Sequence, residues 1–289
     1  MIYCYPILPR AGLGNRFFPW ARCAIFSYTH GVPMLSPAWG QLKLGPLIRG
    51  ESDLRIYHDL FKKRTNEIGG NKKLWIRLSY KKEKEPQDIR GLNVNEALQK
   101  RLIIFEGYEK FFFPLNEWNV FLHEAILDMT VKKWRDRVAN ICDIPPIGIH
   151  VRMGDQVGHR ANPISWYVGI LNAIRKAVGY SVSAFLVSDG AEIELKELLH
   201  QRNVCLIRTG SSISDLLTLT KAKTLIGTGC STFTAWASFL GRIPTITIPG
   251  QDLAWYGIKQ TANYLYGQFD ASSLSSSHNF LEVIKSRLM

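Results

Sequence analysis

Short apolar runs alternate with longer stretches whose apolar residues recur every three or four positions. Residues 2–8 form the first run, and Phe17, Trp20, Ala21, Ala24, Ile25 and Tyr28 follow at helical spacing. This predicts a strand, a glycine-rich turn over residues 9–16 and an amphipathic helix. Gly31-Val32-Pro33-Met34-Leu35 then predicts a turn into a second short strand, so the opening reads as β-loop-α-β, as in a nucleotide-binding half-domain. From about residue 43 to 90 the pattern weakens, and that stretch reads as exposed elements decorating a core around a turn at Gly69-Gly70-Asn71. Residues 102–105 predict another strand, running into Glu106-Gly107-Tyr108 and an aromatic cluster at 111–113. Residues 117–142 predict one long amphipathic helix or two, broken by Pro145-Pro146.

The second half repeats the alternation. Strands are predicted at 147–151, 183–187, 204–207, 224–227 and 245–248, and helices at 165–178, 192–202, 212–222 and 232–240. Such order predicts an α/β fold whose parallel sheet is covered by helices on both faces. Residues 270–277 read as a polar linker before a closing helix at 278–288. We place the domain boundary at the proline pair, giving domains 1–145, with a basic insertion at about 43–90, and 146–289.

Polar residues gather where the second-half strands stop. They are His150-Val151-Arg152-Met153-Gly154-Asp155, Ser188-Asp189-Gly190 and Gly227-Thr228-Gly229-Cys230-Ser231-Thr232. Each alone is ordinary turn or N-cap chemistry. Together they supply a cation for phosphate, a carboxylate for a ribose or base edge, and hydroxyls and amides at a helix start, a set that suits a nucleoside diphosphate. Gly12 and Gly14, with Asn15 and Arg16, form a second turn through which backbone can approach a ligand closely.

Charge narrows the partners. A formal charge of +12 over 289 residues points to an anionic one: nucleic acid, an acidic membrane surface or a phosphorylated substrate. Aromatic residues do not interleave with the basic runs as a base-stacking surface requires, so nucleic acid is not expected. Lys62-Lys63-Arg64, Lys72-Lys73 and Lys81-Lys82 are either solvated decoration or a patch for acceptor phosphates or anionic lipid. Five scattered cysteines without a C-x-x-C pair argue against a disulfide framework or zinc site and are read as reduced and mostly buried. The first residues lack a signal-peptide pattern, and no stretch approaches about 20 apolar residues. A cytoplasmic protein, with peripheral contact at the inner face of the membrane, is expected.

In order along the chain, these motifs resemble those of the bacterial alpha-1,2-fucosyltransferases, within the group that includes alpha-1,6- and protein O-fucosyltransferases. Gly12-Leu13-Gly14-Asn15-Arg16-Phe17-Phe18-Pro19-Trp20-Ala21 resembles the N-terminal signature, Glu106-Gly107-Tyr108 the middle element, and His150 through Asp155 the H-x-R-R-G-D donor motif. Val187-Ser188-Asp189 and the block Asp215 through Leu240 resemble the closing elements. Met153 stands in place of the motif's second Arg, and Gly190 in place of a second acid.

The resemblance implies a GT-B fold of two Rossmann-like domains, with the acceptor on the N-terminal side and the nucleotide sugar on the C-terminal side. It also implies inverting, metal-independent transfer of fucose from GDP-fucose to a sugar hydroxyl of an oligosaccharide, whose lipid-diphosphate-linked form is one candidate. No Asp-x-Asp occurs in the sequence, and neither a metal nor another cofactor is expected. Arg152 is assigned to the β-phosphate, with the Gly12, Gly14, Asn15 and Arg16 turn assisting. Ser188 and Asp189 are assigned to guanine or ribose, and Gly229, Ser231, Thr232 and Phe233 to phosphate at a helix start. His150 orients the loop. Asp155 is the first candidate base and Glu106 the second. The alternatives are a relative using another nucleotide sugar and a non-catalytic basic binding module.

Overall fold

The computed structural model describes residues 1–40, 56–91, 100–153, 162–262 and 264–289. Two units are present, the first running to Val131 and the second spanning Lys132–Met289. Each is built on a sheet of parallel strands.

In the first unit the strands are β1 (Ile2–Pro6), β2 (Met34–Leu35), β3 (Glu67–Ile68), β4 (Lys81–Lys84) and β5 (Arg101–Phe105), and the helices are α1 (Leu13–His30), α2 (Gly70–Ser79) and α3 (Asn119–Met129). Among the described residues the sheet order is β3-β2-β1-β5-β4, so β1 and β5 form its centre. Helix α1 is apolar on nearly every side and is buried from Leu13 to Ser27 with few breaks, the pattern of a helix enclosed in a core. It stops at Gly31, whose left-handed backbone (φ 62°) lets its N–H reach the Ser27 carbonyl.

The weakly patterned stretch does more than decorate. It supplies β3, α2 and β4, and Gly69-Gly70 opens a helix. Among the described residues, strand β4, Lys81-Lys82-Glu83-Lys84, pairs with β5 alone at the sheet edge. Charge along an edge strand discourages further pairing, which is why it carries no apolar alternation.

The second unit contains α4 (Lys132–Ala139), β6 (Ile147–Val151), α5 (Ile164–Val178), β7 (Ala184–Ser188), α6 (Lys196–Leu199), β8 (Val204–Leu206) and α7 (Ser212–Leu219). Then follow β9 (Thr224–Gly227), α8 (Thr232–Gly241), β10 (Thr245–Thr247), β11 (Tyr266–Gln268), α9 (Ala271–Ser276) and α10 (His278–Leu288). The order β11-β10-β9-β6-β7-β8 is that of a doubly wound sheet, and its direction of winding reverses between β6 and β9. Ligands bind such sheets beyond the carboxyl ends of the strands at that reversal.

Four expectations change here. Residues 270–277 form α9 rather than a linker, because Asp270 and Ser273 cap each other's backbone at its start. The helix expected over 192–202 shortens to α6, since the Glu194 carboxylate takes the Ala191 N–H and turns precede the helix. Strand β11 was not anticipated. Cys4 and Cys23 are buried, but Cys142, Cys205 and Cys230 are exposed, all five as free thiols. Among the described residues, no helix is long and apolar enough to cross a membrane.

Candidate functional site

Strand β6 shows how sequence alternation aims side chains. Ile147, Ile149 and Val151 pack with Tyr167, Ile170 and Ile174 of α5 and with Phe280, Leu281 and Ile284 of α10. Successive residues of a strand point to opposite faces, so Gly148 and His150 face the other side, where Gly148 leaves room for Phe185 and Ala222. His150 is buried, its Nδ1 lies 2.6 Å from Thr234 Oγ1, and its ring stacks against Phe233 with centroids 5.1 Å apart. Burial pushes the imidazole down to about 4, with Arg152 adding to the fall and Asp189 opposing it. At neutral pH the ring is therefore uncharged and anchors the strand end to the start of α8. Gly227 permits this approach, because a Cβ there would run into the Thr234 methyl.

Just past β9, Thr228 joins the two central strand ends. Its fully buried Oγ1 accepts the Arg152 N–H at 3.1 Å and pairs with the Tyr167 hydroxyl at 2.8 Å. Asn162 donates from Nδ2 to the same hydroxyl at 3.2 Å, and its Oδ1 accepts from Gln251 Nε2 at 2.8 Å. Gln251 Oε1 in turn accepts the Gly229 N–H at 3.0 Å and the Cys230 N–H at 3.4 Å. Gly229 has to be glycine, since a Cβ would strike the Gln251 backbone. A chain of hydrogen bonds thus runs from Arg152 through Thr228, Tyr167, Asn162 and Gln251 back to the loop that opens α8.

The remaining expected residues of this unit gather at the same edge. Ser231 caps α8, its Oγ accepting the Phe233 N–H at 3.3 Å, while Thr232 begins the helix. Asp189 accepts the Met153 N–H at 2.8 Å and pairs with Arg152 Nη1 at 3.3 Å. Ser188 Oγ accepts the Gly190 N–H at 3.0 Å. The place where the donor motif carries a second Arg is filled by Met153, packed so closely on Gly190 that a Cβ there would lie 2.8 Å from Met153 Cγ. Gly154 and Asp155 lie outside the described residues. Chemically, this edge presents a guanidinium held by a carboxylate, a buried neutral imidazole, and a glycine loop whose amides are held by a carboxamide.

In the first unit, Gly12 is the N-cap of α1, and the Leu13 N–H reaches the Tyr57 hydroxyl at 3.1 Å. Gly14 is buried in the helix's first turn. The Asn15 Oδ1 is buried and, among the described residues, has no hydrogen-bond partner. Arg16 turns inward, donating to the Trp39 carbonyl and lying over the Tyr57 ring. Burial lowers its pKa, with Tyr57 opposing the fall. Glu106, at the end of β5, is exposed, while its carbonyl is gripped by buried Arg22 at 2.8 Å. The bidentate pairing of Arg22 with Glu85, at 2.8 and 3.1 Å, fixes that grip. Among the described residues, no group of three His, Cys, Asp or Glu side chains is placed to hold a metal ion.

Three of the linking residues, Tyr167, Asn162 and Gln251, were not singled out from the sequence. Tyr167 reads there as an apolar helix position. Asn162 and Gln251 are loop amides 89 positions apart, with no local pattern that couples them.

The two parallel α/β units are those of a GT-B glycosyltransferase fold. Among solved structures, the chain is similar to fucosyltransferase NodZ from Bradyrhizobium, at 15% identity over 86% of this chain and 97% of that one, with a TM-score of 0.56. It is similar also to NodZ alpha-1,6-fucosyltransferase soaked with GDP-fucose, at 15% identity, 86% and 96% coverage and TM-score 0.55. A mutant of Arabidopsis thaliana FUT1 in complex with GDP matches at 11% identity, 86% and 70% coverage and TM-score 0.51. At these identities the likeness establishes the fold. No protein-family model and no curated protein matches the sequence.

Proposed function

We propose that the chain is an inverting glycosyltransferase that moves fucose from GDP-fucose to a sugar hydroxyl, with an alpha-1,2 linkage in surface polysaccharide or oligosaccharide synthesis. One observation carries the reading. Arg152, His150, Thr228 and the Gly229–Ser231 loop converge at the winding reversal of the second sheet, on a fold shared with enzymes crystallised with GDP or GDP-fucose.

Departure of GDP builds negative charge on the β-phosphate. The Arg152 guanidinium, aimed by Asp189, and the donors at the start of α8 offset that charge without a metal, because fixed dipoles need no reorganisation as the charge develops. Asp189 thereby acts as a positioning residue for Arg152, in addition to its assignment to guanine or ribose with Ser188. The neutral His150 ring holds the strand end against α8 and leaves the local charge to Arg152. The acceptor is assigned to the first unit. Asp155 is the first candidate to take the acceptor proton and Glu106 the second.

The test combines ligand-induced thermal stabilisation with a product assay. GDP is expected to raise the melting temperature where UDP and ADP do not, and GDP-fucose is expected to yield a fucosylated oligosaccharide, scored by mass and linkage. Arg152→Ala is expected to weaken GDP about 10- to 100-fold, the range for losing a charged hydrogen-bond donor. Stabilisation by UDP or ADP but not GDP, or wild-type GDP affinity in Arg152→Ala, would overturn the assignment.

A further inference from the structure

A surface helix of ordinary character turns its apolar stripe to the core and its polar face to water. Helix α2 departs from this. Ile76 and the following Tyr80 are buried against Tyr3, Tyr5 and Leu102. Yet on the opposite side Leu74 is 54% exposed and Leu78 77% exposed, and Trp75, on one flank, is 51% exposed. Three large apolar side chains within five residues stand in water.

Cations surround them. Residues 70–84 carry six Lys or Arg and a single acid, Glu83, and that acid is engaged by Arg101 at 2.6 Å. Lys100 Nζ lies over the Trp75 ring at 5.6 Å. On the other flank, Lys73 and Arg77 both lie over Tyr5, at 5.1 and 5.2 Å. There a cavity of about 280 Å³ opens, walled by Tyr5, Arg77, Lys82 and Lys84, with Glu106 also at its lining. Lys73 Nζ donates to the Ser36 carbonyl at 2.6 Å; burial and the neighbouring Arg77 charge lower its pKa, with Glu67 opposing the fall.

We infer that α2 and β4 form a docking surface for an anionic phospholipid bilayer, with Leu74, Trp75 and Leu78 entering the acyl boundary and Arg77, Lys82 and Lys84 receiving headgroup phosphate. Leu and Trp flanked by Lys and Arg are what an interfacial helix presents to lipid. A second copy of the chain is disfavoured, because a two-fold interface lays a patch on itself and would press six cations against six. A nucleic acid is disfavoured too, since Trp75 is the single ring among the three exposed apolar side chains, Lys100 already lies over it, and the two leucines beside it offer bases nothing to stack on.

The test is sedimentation of the full chain with vesicles of phosphatidylcholine alone and of phosphatidylcholine with phosphatidylglycerol. The chain is expected to pellet with the anionic vesicles only, and to be released by high salt. Replacing Lys72, Arg77 and Lys82 with Gln is expected to lower partitioning by about fivefold per cation, and Leu74→Ser with Leu78→Ser by at least about tenfold. Brominated lipid is expected to quench wild-type fluorescence more than that of Trp75→Phe. Circular dichroism confirms that these surface variants remain folded. Equal sedimentation with both vesicles, absence of binding, unchanged binding in the variants, or a shift of oligomeric state in the leucine pair would each overturn the inference. Neither donor nor acceptor is present, so its failure and that of the transferase reading are separate results.

Discussion

Replacing Thr228 with valine isolates the hydrogen-bond chain at the winding reversal. Valine matches threonine in shape and opens no cavity, so the perturbation is the loss of one fully buried hydroxyl. Two close partners lose it, the Arg152 N–H at 3.1 Å and the Tyr167 hydroxyl at 2.8 Å. The Tyr167 oxygen keeps Asn162, so the larger part of the loss falls on the Arg152 amide. A buried polar group left without its partner costs about 1–3 kcal/mol, and the two together give about 2–4 kcal/mol. In a unit of this size each kcal/mol lowers the melting temperature by about 2–4 °C, so a fall of roughly 4–16 °C is expected. Thr228→Ser keeps the hydroxyl and loses only a methyl, worth about 1 kcal/mol. Calorimetry of Thr228→Val, Thr228→Ser, Tyr167→Phe and the Thr228→Val/Tyr167→Phe double variant reads the effect. The double variant should be less destabilised than the sum of the singles, by about 0.5–3 kcal/mol, because the two residues share one bond. If Thr228→Val melts no lower than Thr228→Ser, or the singles add, the chain does not hold the strand ends together.

Three further outcomes follow from the same edge. His150 titrates near 6.5 when unfolded and at about 4 in the fold; the unfolded state therefore binds the extra proton between these values, and stability falls as pH drops through that window, by roughly 3 kcal/mol in all. Melting temperature followed from pH 7 to pH 4 should show this slope, flattened in His150→Gln. Gln251→Glu places a carboxylate against the Gly229 and Cys230 amides, beside the proposed diphosphate site, and should weaken GDP more than Gln251→Ala does; isothermal titration giving the reverse order would detach Gln251 from that proposed site. Gly227→Ala drives a methyl into Thr234 and should cost about 1–3 kcal/mol by overpacking, with His150 displaced from α8; an unchanged melting temperature and unchanged His150 imidazole NMR shifts would contradict the packing described.

Strand β6 was legible because its five residues are all buried and stop abruptly at Arg152, a pattern with one natural reading. The Ser231 cap was legible for a similar reason: Ser-Thr ahead of an apolar helical run marks a helix start. The doubly wound order also follows from regular alternation and handedness, although the position of β11 does not. What escaped was contact at long range. Gln251 meets Asn162 across 89 positions and Tyr167 meets Thr228 across 61, and local periodicity carries no information about such pairs. Charge hid β4, whose Lys-Lys-Glu-Lys reads as a solvated loop until its edge position supplies the reason. Composition hid α9, because a serine-rich segment resembles a linker unless the reciprocal cap between Asp270 and Ser273 is noticed. The inward turn of Arg16 is equally silent in the sequence, since a cation after a glycine turn reads as ligand-facing until Trp39 and Tyr57 claim it.

The spans of these bonds bear on how the protein is made. Met153 waits for Asp189, 36 residues later, Arg152 for Thr228, 76 later, and His150 for Thr234, 84 later. The apolar face of β6 is sealed by Phe280, Leu281 and Ile284, far downstream of it in the sequence. Contacts this distant in sequence slow folding, because the chain is constrained well before they repay it. While a nascent chain lengthens, the apolar face of β6 has helix α5 to cover it before α10 is made. The strand ends at the winding reversal therefore take their final arrangement only after residues well downstream of β6 have been added.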